Sequence, residues 1–233
     1  MACTHSWNLS PSEAVSLQRS LCERVILQPL PVHLQVLGAA DVGYVPSMKK
    51  MVAAMVTFQW PDLTPLETAQ STFHMDFPYI PGLLSFREVP PLLEAFESLG
   101  RKPDVILCDG QGIAHPRKLG LASHLGICLD LPTVGCAKKK LCGNHETLPL
   151  IRGQCRPLMF QGERVGYVLC SRTGVKPIYI SPGHKADGES SLELVRRCLG
   201  TYRIPQPLRH AHHLATRLRN QLAAQGKIAR IPL

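Results

Sequence analysis

The sequence predicts an α/β domain, a mixed central sheet with helices on both faces. Three observations lead there. Strand-like runs at His33 to Val45, Lys50 to Trp60 and Leu66 to Phe73 follow one another with short connections, the pattern of an antiparallel meander. From residue 86 onward short apolar runs alternate with helical periodicity, as in strands covered by helices. The composition, 45% apolar and 18% charged, is ordinary globular usage. With 233 residues the chain suits one well-buried domain, read as 1–233, and is short for two.

The elements follow in order. Residues 10 to 27 read as a helix: Ser10 and Glu13 make a capping-box pattern, and Pro11 suits the first helical position. Ala14, Leu17, Leu21 and Val25 then recur at helical spacing. After the three meander strands, residues 86 to 99 read as a helix despite Pro90 and Pro91. Val105 to Cys108 is a short buried strand, 119 to 129 a helix, and Thr133 to Ala137 another strand. Val165 to Cys170 and Pro177 to Ile180 are expected to pair as a hairpin. Helices over 189 to 199 and 207 to 224 close the chain.

No apolar run is long enough for a bilayer span. The opening Met-Ala-Cys-Thr-His-Ser-Trp lacks the basic and apolar regions of a signal peptide, so a cytoplasmic location and no membrane contact are expected. Nine cysteines, an odd count with no C-x-x-C pair, signal neither a disulfide framework nor a zinc site.

The net charge of +9 points toward a polyanion such as nucleic acid. Residues 194 to 233 hold no Asp or Glu and carry eight of these charges: Arg196, Arg197, Arg203, Arg209, Arg217, Arg219, Lys227 and Arg230. On the 207–224 helix, Leu208, Ala211, Ala215, Leu218 and Leu222 form an apolar side, and Arg209, His213 and Arg217 a stripe beside it. The stripe is either a phosphate-contacting surface or a solvated face that aids solubility.

Three carboxylates stand out by position. Asp41 interrupts an apolar strand, Asp109 ends another, and Glu88 lies near the start of a helix. A buried unpaired carboxylate is costly, and a bound cation removes that cost. Oxygen ligands suit Mg²⁺ or Mn²⁺. Each acid taken alone reads first as a cap, turn or ion-pair residue. The glycine-rich run Asp109-Gly-Gln-Gly-Ile-Ala-His-Pro-Arg117 brings flexible backbone together with an acid, a histidine and a base. Lys138 follows a buried strand and could hold a phosphate, or belong to a solvated turn. His184 ends a strand in Ser181-Pro-Gly-His184 and could be functional or structural. Phe77-Pro-Tyr-Ile-Pro81-Gly82 is a stiff loop; Tyr79 either packs into the core or is shown for wedging between bases.

Taken together, these segments resemble endonuclease V. Phe77-Pro-Tyr-Ile-Pro-Gly-Leu-Leu-Ser-Phe-Arg-Glu88 is similar to that family's wedge and acid segment. The run from Asp109 to Arg117, with Gly120 and His124-Leu-Gly126, is similar to its second motif, and Gly135-Cys-Ala-Lys138 to its lysine motif. Ser181-Pro-Gly-His184 and Arg203-Ile-Pro-Gln-Pro207 match its late motifs. Ala39-Ala40-Asp41-Val-Gly43 departs from the common Gly-Val-Asp-Val-Ser but keeps the acid.

The resemblance implies a ribonuclease H-like fold. It implies Mg²⁺-dependent hydrolysis, with Mn²⁺ as substitute, of the second phosphodiester bond 3′ to deoxyinosine in single- or double-stranded DNA. By motif, Asp41, Asp109 and Glu88 would hold the metal, His184 would lie beside it, and Lys138 would lie near the scissile phosphate. Pro78, Tyr79, Ile80 and Pro81 would form the wedge. Gly82, Leu84, Gly110 and Gly120 would line the base pocket, with His115 close by. The chain is taken to act as a monomer. Two other readings stand beside this one: an inosine-specific ribonuclease of the same fold, and a nucleic-acid-binding protein without catalysis.

Overall fold

The structure is a computed structural model and describes residues 5–228; Cys3 and Arg230 lie outside the described residues. The strands are β1 (Val36–Val45), β2 (Lys50–Gln59), β3 (Thr64–His74), β4 (Val105–Cys108), β5 (Thr133–Ala137), β6 (Cys155–Phe160), β7 (Glu163–Leu169) and β8 (Ile178–Pro182). The helices are α1 (Pro11–Cys22), α2 (Ser85–Glu97), α3 (Leu121–Leu129), α4 (Gly188–Arg197) and α5 (Gln206–Ile228). The strands form one mixed sheet in the order β3-β2-β1-β4-β5-β8-β7-β6. This is the ribonuclease H-like arrangement: an antiparallel meander, then β4 and β5 added parallel to β1.

Alternation along the strands divides the core in two. Leu37, Ala39, Leu107 and Val134 meet Val195 of α4 and Leu208 and Ala211 of α5 on one face. Ala40, Met55, Ile106 and Cys108 meet Val89 and Leu92 of α2 and Leu125 of α3 on the other. Asp41 is therefore on the α5 side. The apolar side of α5 is buried at Leu208, Ala211 and Ala215 and half-buried at Leu218 and Leu222.

Three expectations are corrected. The first helix ends at Cys22, not residue 27; beyond it Ile26 N–H donates to His184 Nδ1 and Lys185 N–H donates to Ile26 C=O, so the segment runs to another part of the fold. The β6 strand has no counterpart in the sequence reading. Its Pro157 argued against a strand, but β6 is the sheet edge, where a missing N–H is tolerated. Gln161 and Gly162, both at positive φ, turn it into β7. Finally, not every described cysteine is a thiol: seven are free, and Cys128 is disulfide-bonded.

Pro90 and Pro91 lie inside α2. Without their N–H groups, two helical bonds are missing beside the turn that carries Glu88. Among the described residues, no helix is long and apolar enough to cross a membrane.

Candidate active site

The site begins with the parallel pairing of β1 and β4. Ala40 lies opposite Cys108, and Asp109 N–H donates to Ala40 C=O at 3.0 Å. Asp41 and Asp109 thus leave neighbouring strands side by side, at a spacing set by the sheet, about 4.8 Å between strands. Asp41 is buried. Its carboxyl is pushed up by that burial and by Asp109, against the pull of His212 and Lys138. Glu88, in the first turn of α2, joins them from the opposite face of the sheet. Burial, together with Asp41 and Asp109, pushes its carboxyl up to about 8. Negative charge gathered around two raised carboxyls, Asp41 and Glu88, makes a site that favours a cation.

Lys138 follows β5, the next strand over, and its ammonium pairs with Asp109. Two flanking residues hold the backbone here. Arg203 donates to Lys138 C=O at 2.6 Å and to Pro177 C=O at 2.9 Å, and Gln111 donates to Lys139 C=O at 2.9 Å. The motif beginning at Arg203 therefore acts on the site by fixing the lysine loop.

His212 was missed in the sequence. Its Nδ1 lies 2.8 Å from Asp41 Oδ2, and its ring, with the Asp41 and Asp109 carboxylates, offers ligand atoms all within 4.8 Å of one another. The signal was present: Leu208, Ala211, His212 and Ala215 follow the 1-4-5-8 pattern of a packed helix face. That pattern put His212 on the side of α5 that faces the sheet, without saying which strand it would meet.

His184 is not beside these acids, contrary to expectation. Its backbone carbonyl accepts from Thr133 N–H at the start of β5, whereas Lys138 follows the end of that strand. Five residues at roughly 3.3 Å each put about 16 Å between the two places. The His184 ring lies 3.4 Å from Asp130, and burial holds it below the usual imidazole range. In the same motif Ser181 is the residue that reaches toward the site, accepting from Gly112 N–H at 2.8 Å.

A cavity of about 470 Å³ opens beside Glu88, Asp109 and Lys138, and Tyr79, Pro81, Gly82, Leu84, Gly110, His115 and Gly120 all line it. Pro78 and Ile80 do not. Ile80 packs toward Leu83 and Phe86, and Pro78 borders a neighbouring depression. Tyr79 is 71% exposed, so the core alternative for it is excluded. The Tyr79 loop is held at Gly82, at positive φ, whose carbonyl accepts from Gln18 (2.9 Å), His115 (3.0 Å) and Arg117 (2.8 Å). Gly110 and Gly120 N–H groups are engaged with Cys108 C=O and Gly112 C=O. The N–H groups of Leu84 and Gln111, both lining the cavity, have no partner among the described residues. Gly120 is required by space: a Cβ there would lie 2.4 Å from Gln111 C=O.

On α5, His213 and Arg217 are exposed as the stripe requires. Arg209 is half-buried, its guanidinium 3.3 Å from the centre of the Tyr202 ring, so only part of the stripe is open to solvent.

A family model described as Endonuclease V matches residues 19–213. The Endonuclease V of Trichormus variabilis is 45% identical over 213 residues, covering 91% of this chain and 96% of that protein. The crystal structure of Endonuclease V from Streptomyces avermitilis superposes with a TM-score of 0.88 at 37% identity, covering 93% of this chain and 96% of that one. Endonuclease V of Ciona intestinalis, in complex with a 24mer DNA containing an inosine followed by a ribo-adenosine, superposes with a TM-score of 0.77 at 25% identity, covering 91% and 98%.

Proposed function

The chain belongs to the endonuclease V family, a nuclease and hence a hydrolase, and from that premise we infer that it is a Mg²⁺-dependent endonuclease acting on deoxyinosine in DNA. It hydrolyses the second phosphodiester bond 3′ to the lesion, leaves 3′-hydroxyl and 5′-phosphate ends, and serves DNA repair. One observation carries this reading: Asp109, Glu88 and Lys138, with Asp41 beside the two acids, line a cavity walled by the Tyr79 loop and the 110–120 loop.

The acids fit a hard divalent cation, since they offer oxygen ligands, and the carboxyls of Asp41 and Glu88 are raised by burial and by the neighbouring acids. Asp41, Asp109 and Glu88 would hold Mg²⁺, or Mn²⁺ in its place. When bound, such an ion activates water and neutralises charge on the phosphate. Lys138 supplies a fixed positive charge to the scissile phosphate. A carboxylate only accepts, so Nδ1 of His212 donates to Asp41, and in the neutral ring Nε2 carries the lone pair. That nitrogen takes a proton during attack.

Selection of the base follows from the cavity wall. Deamination replaces the amine of adenine with a carbonyl. The unpartnered N–H groups of Leu84 and Gln111 suit a carbonyl and reject an amine, which would leave donors facing donors at about 1–3 kcal/mol for each unpaired group. Tyr79 fills the space left by the extruded base.

A second reading, inosine-containing RNA as substrate, is favoured by one finding. The Ciona relative was captured on DNA in which a ribo-adenosine follows the inosine. Matched DNA and RNA oligonucleotides, each with one inosine, incubated with the protein and Mg²⁺, separate the two readings. Nicking of the DNA one nucleotide beyond the inosine's own 3′ bond is expected. Cutting of the RNA alone would install the second reading, and cutting of neither would remove both.

A further inference from the structure

We propose that the depression on the far side of Tyr79 is a second nucleotide subsite, which holds the base left without a partner on the opposite strand and a phosphate of that strand. The proposal rests on deoxyinosine in duplex DNA as substrate, one base of a pair being drawn out on the catalytic side. Tyr79 lines both the cavity beside Glu88 and a second space of about 470 Å³, so its ring stands between them as a partition. Tyr44, Lys49, Asp76, Phe77 and Arg87 border the second space.

Three parts of the chain build this space. Tyr44 lies near the end of β1, opposite Met51 of β2, and the short turn between the strands carries the exposed Lys49. Met75 N–H donates to Lys49 C=O at 2.8 Å, which brings the start of the Tyr79 loop against that turn. Arg87 and Glu88 are consecutive near the start of α2, so their side chains leave the helix about 100° apart. Glu88 lines the catalytic cavity and Arg87 the depression. The two sides of Tyr79 therefore differ in character: acids gather on one and cations on the other.

Arg87 is buried, yet it pairs with no carboxylate among the described residues. Glu88 feels its charge but turns into the other cavity. The guanidinium donates to Phe77 C=O at 2.6 Å, approaches Met51 Sδ at 3.9 Å and lies 4.7 Å from the centre of the Tyr44 ring. Those acceptors do not use up the five donors of a guanidinium. A buried cation with no counter-ion in contact is costly, and an anion brought by a ligand removes that cost. Lys49 adds a second positive charge; Asp76, the acid of the set, is exposed and meets His74 Nε2 at 3.1 Å. The Tyr44 ring with its guanidinium is a cationic aromatic surface, on which bases of any identity stack. A stacking surface and phosphate-binding cations in one depression fit a nucleotide. The opposite strand supplies it: when the lesion base leaves the stack toward Glu88, its partner stays on the other side of Tyr79.

The test is a binding titration in Ca²⁺ of the full chain and its Tyr44→Ala, Tyr44→Phe and Lys49→Gln variants, with an inosine duplex and with the inosine strand alone. Tyr44→Ala is expected to lower affinity for the duplex about tenfold and to leave affinity for the single strand within about twofold of wild type. Tyr44→Phe keeps the ring and is expected to match wild type on both. Lys49→Gln is expected to lower the slope of log affinity against log salt by about 0.9 for the duplex and to leave the single-strand slope unchanged. A merely structural role for Tyr44 would weaken binding of both DNAs alike. That result overturns the proposal, and so does a Tyr44→Ala protein with unchanged duplex affinity. Should Tyr44→Ala fail to fold, the Lys49→Gln slopes decide alone: a fall on the duplex only supports the subsite, and any other result overturns it. A wild-type protein that binds inosine duplex no better than undamaged duplex removes deoxyinosine as the substrate, and the subsite with it, before any variant is compared.

Discussion

His212 Nδ1 lies 2.8 Å from Asp41 Oδ2, joining a helix near the end of the chain to the first strand across 171 positions of sequence. His184 sits instead against Asp130, beyond the other end of β5. The two histidines should part company on mutation. His212→Ala is expected to lower the nicking rate by about 10²–10⁴-fold with the melting temperature little changed. His184→Ala is expected to lower the melting temperature and leave the rate of the folded fraction near wild type. The reverse pattern in single-turnover assays would return the catalytic role to His184.

Asp109→Asn removes a metal-binding charge from the acidic group and leaves Lys138 without its ion partner. Cleavage is expected to fall by at least about 10²-fold while binding to inosine DNA largely survives, since the cavity wall is untouched. Near-wild-type nicking in Mg²⁺ would remove Asp109 from the site.

Tyr79 is 71% exposed, so Tyr79→Ala should cost little stability. It should weaken inosine-site binding by about 1–3 kcal/mol, the value of one stacking contact. Equal affinity of the two proteins for inosine DNA, measured in Ca²⁺ to suppress cutting, would show that the ring does not stack.

Much of this was legible in sequence, for identifiable reasons. β4 and β5 are short, wholly buried runs bounded by polar residues, and their limits were read to the residue. Asp41, Asp109 and Lys138 advertise themselves because each interrupts or ends such a run. His212 does not. Its role depends on which strand α5 packs against, and no local pattern contains that. β6 was hidden because the burial that defines a strand is weak at a sheet edge and Pro157 argues against it. The partners of Gly82 C=O, drawn from α1 and from the loop after β4, are likewise a product of tertiary structure.

His115 gives a pH dependence. Burial and Arg117 push its imidazole down from 6.5 to about 4. Its neutral form also fits the contacts, with Nε2–H donating to Gly82 C=O and Nδ1 accepting from Arg117 N–H. Between these two values the unfolded chain binds a proton that the folded chain refuses, so stability falls as pH falls. The slope is about 1.4 kcal/mol per pH unit, or roughly 2 kcal/mol between pH 7 and pH 5. His115→Gln should flatten this limb of the profile. Urea unfolding at the two pH values measures it, and identical slopes for both proteins would show that His115 does not contribute.

Arg217 is the exposed arginine of the α5 stripe. If it meets a phosphate, Arg217→Gln lowers the slope of log affinity against log salt by about 0.9 for duplex DNA. Inosine and undamaged DNA should lose affinity by similar factors, because phosphate contacts carry no base information. A salt titration with both DNAs checks this, and an unchanged slope would make the stripe a solubilising surface.

The grip on Gly82 C=O bears on how the enzyme becomes competent. One oxygen atom gathers donors from residue 18 and from residues 115 and 117, so the Tyr79 loop takes its shape only after both distant segments have docked. In a nascent or partly unfolded chain, even with its acids in place, that loop would have no fixed shape. Folding of the domain and shaping of this loop are thereby one event.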